Sequence, residues 1–415
     1  MLKAKGLLNY LTSDRADFGK SVRDAAKFAA SADARAVTDF FAKCYSLGIN
    51  AMELAYFTVA DLLKAGRDDV VQGLFQASGE GDPIWGVYTA GEALSCFKRF
   101  EIVPGARLLG LAIPRCRATL ARRGGGRMAD MGFLIQNAFL LESVLWPQAK
   151  RFPAPRLEIL RRGAFSGSPY TCVTICDKRY FSHYARSFID GLRRACGNIS
   201  VFLLLVDPDD ETIVSASEFD GVTVAATRYG GPWTFEFCVS VRFMLAGEIL
   251  DGIGGPAVFL DVDSDFREGS AEALSIVARK PLSVCDNGSL FPLLRICGGM
   301  LGLRPAPDTY AFLGAAREFL LEDMAREGPL WGLDQMALYR AVCLGREKGW
   351  DISDINADIA GIGRAPDMFI KPAGEVIPLD ERRAIRTNAF YEFSGFSPDG
   401  RMTWAPADGQ PRWPI

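Results

Sequence analysis

Continuous apolar runs that alternate with helix-length segments constrain the fold of this chain more than any other feature, and they begin after Pro169. Strands that are apolar on both faces are typical of a parallel sheet covered by helices on both sides. We therefore predict an α/β fold for residues 170–415. The predicted strands are Tyr170–Cys176, Ser200–Val206, Val222–Thr227 and Ala257–Leu260, and the helices between them include Tyr180–Arg194 and Phe235–Leu250.

Residues 1–152 show a different pattern, in which apolar residues recur at helical spacing and short turns separate the segments. This pattern predicts an all-α domain, built either from stacked helical hairpins of the tetratricopeptide kind or as an irregular helical bundle. Proline, glycine and serine cluster over 153–169, which predicts a linker between the two domains.

Composition narrows the classes of function. Lys and Arg total 47 against 50 for Asp and Glu, so the chain lacks the basic surplus of a nucleic-acid-binding protein. Ten cysteines without zinc-type spacing, and a single histidine, His183, favour reduced thiols and a cytoplasmic location. No apolar run approaches the ~20 residues that span a membrane, so we expect no transmembrane segment.

The segment AVFLDVDSDF at 257–266 carries the clearest chemical signal. Asp261 and Asp263 stand two residues apart at the end of an apolar strand, so extended backbone projects both carboxylates to one side. Two close carboxylates repel each other unless a cation lies between them, and hard ions such as Mn²⁺ or Mg²⁺ prefer oxygen ligands. Such an ion also neutralises a departing diphosphate, which predicts chemistry on a nucleotide diphosphate.

Two other interpretations of this region are disfavoured. Asp261, Asp263, Asp265 and Glu272 occupy positions one, three, five and twelve of a calcium-binding loop. Phe266, however, stands where that loop needs a glycine, and the preceding segment is strand-like. The glycines of DGIGGP at 251–256 precede a strand, whereas a dinucleotide-binding fingerprint follows one.

The order of apolar strand, Asp-x-Asp, glycine-bearing strand and Asp-Gln resembles the GT-A glycosyltransferases over residues 170–345. It is most similar to family 8, the glycogenin and bacterial galactosyltransferase group. The resemblance implies that Asp261 and Asp263 bind Mn²⁺ (or Mg²⁺) and a nucleotide-diphosphate sugar. It also implies that Arg242, on the preceding predicted helix, approaches this donor.

The same resemblance implies further contacts around the donor. The family's Asp-Gln corresponds to Asp334 and Gln335, which would contact the donor sugar, although an aspartate at a helix start also serves as a cap. Gly299 matches the family's glycine. The end of the first strand, with Thr174 and Asp177, would meet the base and ribose.

Two positions depart from the family pattern. Cys297 replaces the asparagine that precedes the matched glycine by two residues, and the sole histidine lies far from the position of the family's C-terminal metal ligand. The expected function is a metal-dependent transfer of a sugar to a protein or glycan hydroxyl. Family 8 enzymes retain the anomeric configuration, and Asp334 is the first candidate for a general base if the reaction inverts.

Two alternatives to this function stay open. The first is a non-catalytic scaffold with the same fold, whose helical domain binds a protein. The second is a nucleotidyltransferase, which would need a glycine-rich basic loop after the first strand, where this chain has DKRYFSHYARS. In the glycosyltransferase interpretation, the helical domain recruits the acceptor.

Overall fold

The computed structural model describes residues 2–11, 17–49, 51–123, 134, 137–138, 140–147, 149–231, 234–328 and 332–363. The chain divides into two compact units, with the boundary between Trp146 and Pro147. None of the described helices is both long enough and apolar enough to cross a membrane.

The described elements of the first unit are α-helices. Aspartates begin two of them: Asp17 accepts a hydrogen bond from the backbone N–H of Lys20 at 2.6 Å, and Asp33 accepts one from Ala36 at 2.9 Å. The apolar faces bury large side chains such as Phe41 and Tyr88 in the core of the unit. The helices are α1 (Leu2–Leu11), α2 (Phe18–Ser31), α3 (Ala34–Ser46), α4 (Ala51–Lys64), α5 (Asp68–Ala77), α6 (Trp85–Lys98), α7 (Ile102–Arg123) and α8 (Glu142–Leu145).

The second unit contains an eight-stranded sheet with helices between its strands, which confirms the predicted α/β class. Four of the seven strand pairings are parallel, and the four predicted strands correspond to β2–β5. The strands are β1 (Glu158–Arg161), β2 (Thr171–Asp177), β3 (Ser200–Val206), β4 (Val222–Thr227), β5 (Ala257–Leu260), β6 (Leu282–Asp286), β7 (Ile296–Leu303) and β8 (Ser353–Asp354).

The helices of this unit connect the strands and cover the sheet. A short π-helical turn, Phe181–Ala185, joins the first two. The helices are α9 (Lys178–Tyr180), α10 (Arg186–Cys196), α11 (Asp210–Ser217), α12 (Thr234–Met244), α13 (Ala246–Ile253), α14 (Ser270–Arg279), α15 (Pro292–Arg295), α16 (Pro307–Glu327), α17 (Leu333–Lys348) and α18 (Ile355–Asp358).

Part of the segment 153–169, which its composition predicts to be a linker, belongs to the sheet. Strand β1 pairs antiparallel with β4, with Ile159 opposite Ala225. Its four residues, EILR, are too few to give a strand signal among the surrounding prolines and glycines. The second unit therefore begins before residue 170.

The order of the strands places a crevice at the centre of the sheet. The strands lie in the order β1-β4-β3-β2-β5-β7-β6-β8. From β2 the chain moves outward to β3 and β4, and then returns to place β5 on the other side of β2. Where the strand order reverses in this way, ligands of open α/β sheets bind beyond the carboxyl ends of the strands. In this unit that place lies between the ends of β2 and β5.

A large bulge in β7 lies next to the crevice. Val284 of β6 faces Leu301, but the next residue, Cys285, faces Cys297. Residues 298–300 of β7 therefore have no partner in β6, while Met300 still pairs with Leu260 of β5. Bulges redirect backbone and side chains near functional sites. This one carries two glycines to the end of β5.

Candidate functional site

A pocket of about 260 Å³ opens at the carboxyl ends of β2 and β5. It brings together seven of the eight site residues expected from the sequence, which come from two strands, one loop and two helices. They are Asp177, Arg242, Asp261, Asp263, Gly299, Asp334 and Gln335.

The eighth expected residue, Thr174, does not line this pocket. Its side chain shares a face of β2 with Cys172 and Cys176, both of which pack into the core of the sheet. Thr174 is buried, and its hydroxyl finds no hydrogen-bond partner among the described residues. The structure therefore gives Thr174 no contact with a ligand in the pocket.

Arg242 is the positive centre of the site. It lies on α12, only 4% of its side chain is exposed, and its Nη1 donates a hydrogen bond to Oδ1 of Asp261 at 2.5 Å. Its Nη2 lies 3.7 Å from Oδ2 of Asp334. Burial lowers the pKa of this guanidinium, but Asp261 and Asp334 raise it by more, so the net shift is upward. Arg242 thus supplies a fixed positive charge in a place from which water is largely excluded.

Asp334 lies in the first turn of α17 and is almost fully buried. Burial raises the pKa of its carboxyl group from 3.8 to about 6, although Arg242 and the backbone N–H of Gln335 act in the opposite direction. A carboxyl group that titrates near neutral pH can accept or donate a proton during a reaction. Its raised pKa inside a cleft marks Asp334 as a functional candidate.

Asp177 combines a local structural role with its place in the pocket. Its carboxylate accepts a hydrogen bond from the backbone N–H of Tyr180 at 2.8 Å and so caps α9. This cap fixes the carboxylate at the end of β2. Asp261, at the end of the neighbouring strand β5, has 40% of its side chain exposed and is therefore accessible to a ligand.

The two glycines of the β7 bulge make room for the two carboxylates that pair with Arg242. A Cβ atom on Gly298 would lie 2.5 Å from Oδ2 of Asp334, and one on Gly299 would lie 2.7 Å from Oδ2 of Asp261. Both distances are too short for non-bonded atoms, so any side chain at these positions would displace a carboxylate. Only Gly299 was expected at the site from the sequence. The adjacent Gly298 was missed, although the Gly-Gly pair could have indicated it.

Cys297 also lines the pocket. The pKa of Cys297 is lowered, chiefly through its interaction with the thiol of Cys285 on the neighbouring strand. The other lining residues that sequence reasoning missed are apolar or weakly polar, and no charge pattern could have revealed them. They are Ile175, Cys176, Tyr180, Cys238, Val239, Val262 and Leu294.

The charges that line the pocket favour a cation as part of any phosphate-bearing ligand. Among the described residues that line the pocket there are four aspartates and one arginine, so an anion alone would meet net repulsion. In the described part of the chain, no three or more His, Cys, Asp or Glu side chains are grouped to hold a metal ion. Mg²⁺ commonly binds one or two carboxylates and completes its shell with water and substrate phosphates. Asp261 and Asp263 fit that mode of binding.

No protein-family model matches this chain, and no curated protein sequence matches it either. The position of the pocket, its charges and the raised pKa of Asp334 are therefore the basis for a functional proposal.

Proposed function

We propose that the second unit is a metal-dependent glycosyltransferase of the GT-A type, which moves a sugar from a nucleotide-diphosphate sugar to a hydroxyl of a protein or glycan acceptor. One observation supports this most strongly. Asp261 and Asp263 follow β5 at the reversal of the strand order, in one pocket with a buried arginine and a carboxyl group of raised pKa. That combination suits a ligand with a diphosphate and a reacting sugar.

The pair Asp261 and Asp263 and the residue Arg242 have different proposed roles toward the diphosphate. Asp261 and Asp263 would hold Mn²⁺ or Mg²⁺, which when bound acts as a Lewis acid on the departing diphosphate. Arg242 orients Asp261 through their hydrogen bond and adds its own charge near the leaving group. Because this guanidinium is buried, its interaction with developing negative charge is stronger than in water.

Asp334 and Gln335 are the proposed contacts to the reacting sugar and acceptor. In an inverting transfer, Asp334 accepts the proton of the acceptor hydroxyl while the new C–O bond forms and the bond to diphosphate breaks. In a retaining transfer, as in family 8, both residues bind the donor sugar. Asp177 and the end of β2 would contact the nucleoside.

A thermal-shift panel of nucleotide sugars, with and without Mn²⁺, tests this proposal. A ligand at 100 times its Kd stabilises the folded state by about 2.7 kcal/mol, which is a readily measured rise in Tm. We expect one family of nucleotide sugars to raise Tm only when Mn²⁺ is present. The absence of any metal-dependent rise across uridine, guanosine, thymidine and cytidine diphosphate sugars would contradict the proposal.

One observation favours a non-catalytic protein of the same fold as the second candidate. Oδ1 of Asp261 is already bonded to Arg242, and the described residues supply no third ligand group. Donor hydrolysis separates the two candidates in a protein that binds a nucleotide sugar. An enzyme releases free sugar at a rate that depends on Mn²⁺, whereas a scaffold binds the donor and leaves it intact.

We further propose that the helical first unit recruits a macromolecular acceptor and that the protein acts in the cytoplasm. Stacked helices present extended surfaces that commonly hold peptides. The test compares the full chain with a fragment that begins at Pro147. Loss of transfer to a protein acceptor with intact donor hydrolysis supports recruitment, whereas equal loss of both contradicts it.

A further inference from the structure

Two cysteines face each other beside the pocket. Cys285 of β6 and Cys297 of β7 are directly opposed in an antiparallel pair. Opposed residues in such a pair have Cα atoms about 4.5–5.5 Å apart, which lies within the span that a disulfide bridges. Opposed residues also project their side chains to the same face of the sheet, so the two thiols are neighbours on that face.

The two thiols differ in access to small molecules. Cys297 is half-buried and lines the pocket, whereas Cys285 is only 1% exposed and lies behind it. Nδ2 of Asn356 lies 3.4 Å from the sulfur of Cys285 and helps to fix its position. An oxidant that enters the pocket therefore meets Cys297 first, with Cys285 placed to react next.

The bond between these cysteines would form at one end of the β7 bulge. Gly298, the next residue after Cys297, leaves room for the carboxylate of Asp334, and Gly299 leaves room for that of Asp261. The sulfur of Cys297 lies 3.4 Å from the Cβ position of Gly299, so it packs against this part of the bulge. A covalent bond to Cys285 draws that sulfur toward β6 and moves the backbone that seats both carboxylates.

We propose that Cys285 and Cys297 form a reversible disulfide that lowers the affinity of the pocket for its metal–nucleotide ligand. The identity of the ligand rests on the proposed function, but the formation of the disulfide does not. Hydrogen peroxide is the oxidant. Cys297 as thiolate attacks one peroxide oxygen, which gives a sulfenic acid and releases hydroxide. The Cys285 thiol then attacks the sulfur of that sulfenic acid and gives its proton to the departing hydroxide, so two thiols and one peroxide give one disulfide and two waters.

Peptide mapping and ligand binding on the full chain test this inference together. After brief treatment with peroxide, we expect one cross-linked peptide pair that contains positions 285 and 297. We expect the oxidised protein to bind uridine or guanosine diphosphate with Mn²⁺ at least about tenfold more weakly, with recovery in dithiothreitol. No cross-linked pair, or a cross-linked protein with unchanged affinity, overturns the inference.

Two variants assign the effect to this pair of residues. Cys285→Ala and Cys285→Ser should both bind as the reduced protein does, and peroxide should give neither of them the cross-linked pair, because a sulfenic acid on Cys297 then has no opposed thiol. Cys343→Ala removes another buried cysteine of the same unit and should keep the full reversible response. Loss of the reversible response in Cys343→Ala overturns the assignment. A reduced protein that binds no nucleotide with Mn²⁺ contradicts the proposed function, and the cross-linked peptide alone then decides for or against the disulfide.

Discussion

Two buried arginine–aspartate clusters in the second unit have similar composition but different surroundings. Arg340 of α17 donates to Oδ2 of Asp323 on α16 at 2.9 Å, with 6% and 0% of the two side chains exposed. Arg242 of α12 is equally buried, but it lies between Asp334 and the partly exposed Asp261. Neither member of the first cluster lines the pocket, whereas every member of the second does.

The difference shows that burial of an ion pair does not by itself mark a functional site. Paired charges in a protein interior are costly to separate and often serve only to join two elements, as Arg340 and Asp323 join two helices. The cluster around Arg242 differs in having a carboxylate open to the pocket and a second carboxyl group with raised pKa. An accessible carboxylate and a carboxyl group of raised pKa in one cleft are the features that indicate a functional site.

The pair of Arg340 and Asp323, which is closed to the pocket, should give the largest loss of stability when it is broken. Asp323→Ala removes the buried carboxylate that accepts a hydrogen bond from Arg340, and we expect a loss of about 3–5 kcal/mol in the free energy of unfolding. Denaturant titration measures the loss. Glu318→Ala on the same helix is the control, because its partner Arg151 is exposed and such surface pairs contribute little. Equal losses for the two variants would remove the distinction between closed and exposed pairs.

A smaller change in stability is expected for Gly299, which makes room for Asp261 in the cluster around Arg242. Gly299→Ala forces a methyl group against Asp261, which should cost about 1–3 kcal/mol and abolish the Mn²⁺-dependent thermal shift. Gly314→Ala in α16 is the matched control, since its Cβ position is open and alanine favours a helix. If Gly299→Ala kept both its stability and its response to Mn²⁺, the close packing of the bulge against Asp261 would be refuted.

The raised pKa of Asp334 predicts a pH-dependent change of similar or smaller size. Between about pH 4 and pH 6 the folded state keeps a proton that the unfolded chain has released, so the contribution of Asp334 to stability falls as pH rises. In Asp334→Asn this loss disappears. The stability of the variant relative to wild type should therefore rise by about 1–3 kcal/mol from pH 4 to pH 7. A difference that stays constant across this range would contradict the raised pKa.

Much of the cluster around Arg242 could be predicted from the sequence, because the hydrophobic pattern shows where the strands end. The apolar run before Asp261 fixed the end of β5, and the strand order then brought that end next to β2. Thr174 was expected at the site but does not line the pocket. The alternation of side chains along a strand could have shown this, because Thr174 shares the face of β2 that buries Cys172 and Cys176.

Other features depend on pairing between distant segments, which the sequence pattern does not contain. The bulge that seats Gly298 arises only from the register of β7 against β6. The bond between Arg242 and Asp261 depends on where α12 packs above the sheet, and the contact between Cys285 and Cys297 depends on the same register. The short strand β1 was hidden by the proline-rich and glycine-rich residues around it.

The central claim is that Asp261 and Asp263 hold a divalent cation together with a nucleotide diphosphate, and Asp263→Asn tests it most directly. This change removes one ligand charge and keeps the side-chain shape. Titration calorimetry of wild type and variant with a nucleoside diphosphate, with and without Mn²⁺, is the measurement. We predict Mn²⁺-dependent binding in wild type and at least about a tenfold loss in the variant, or ~1.4 kcal/mol. Equal Mn²⁺-dependent affinity in the two proteins would contradict the account.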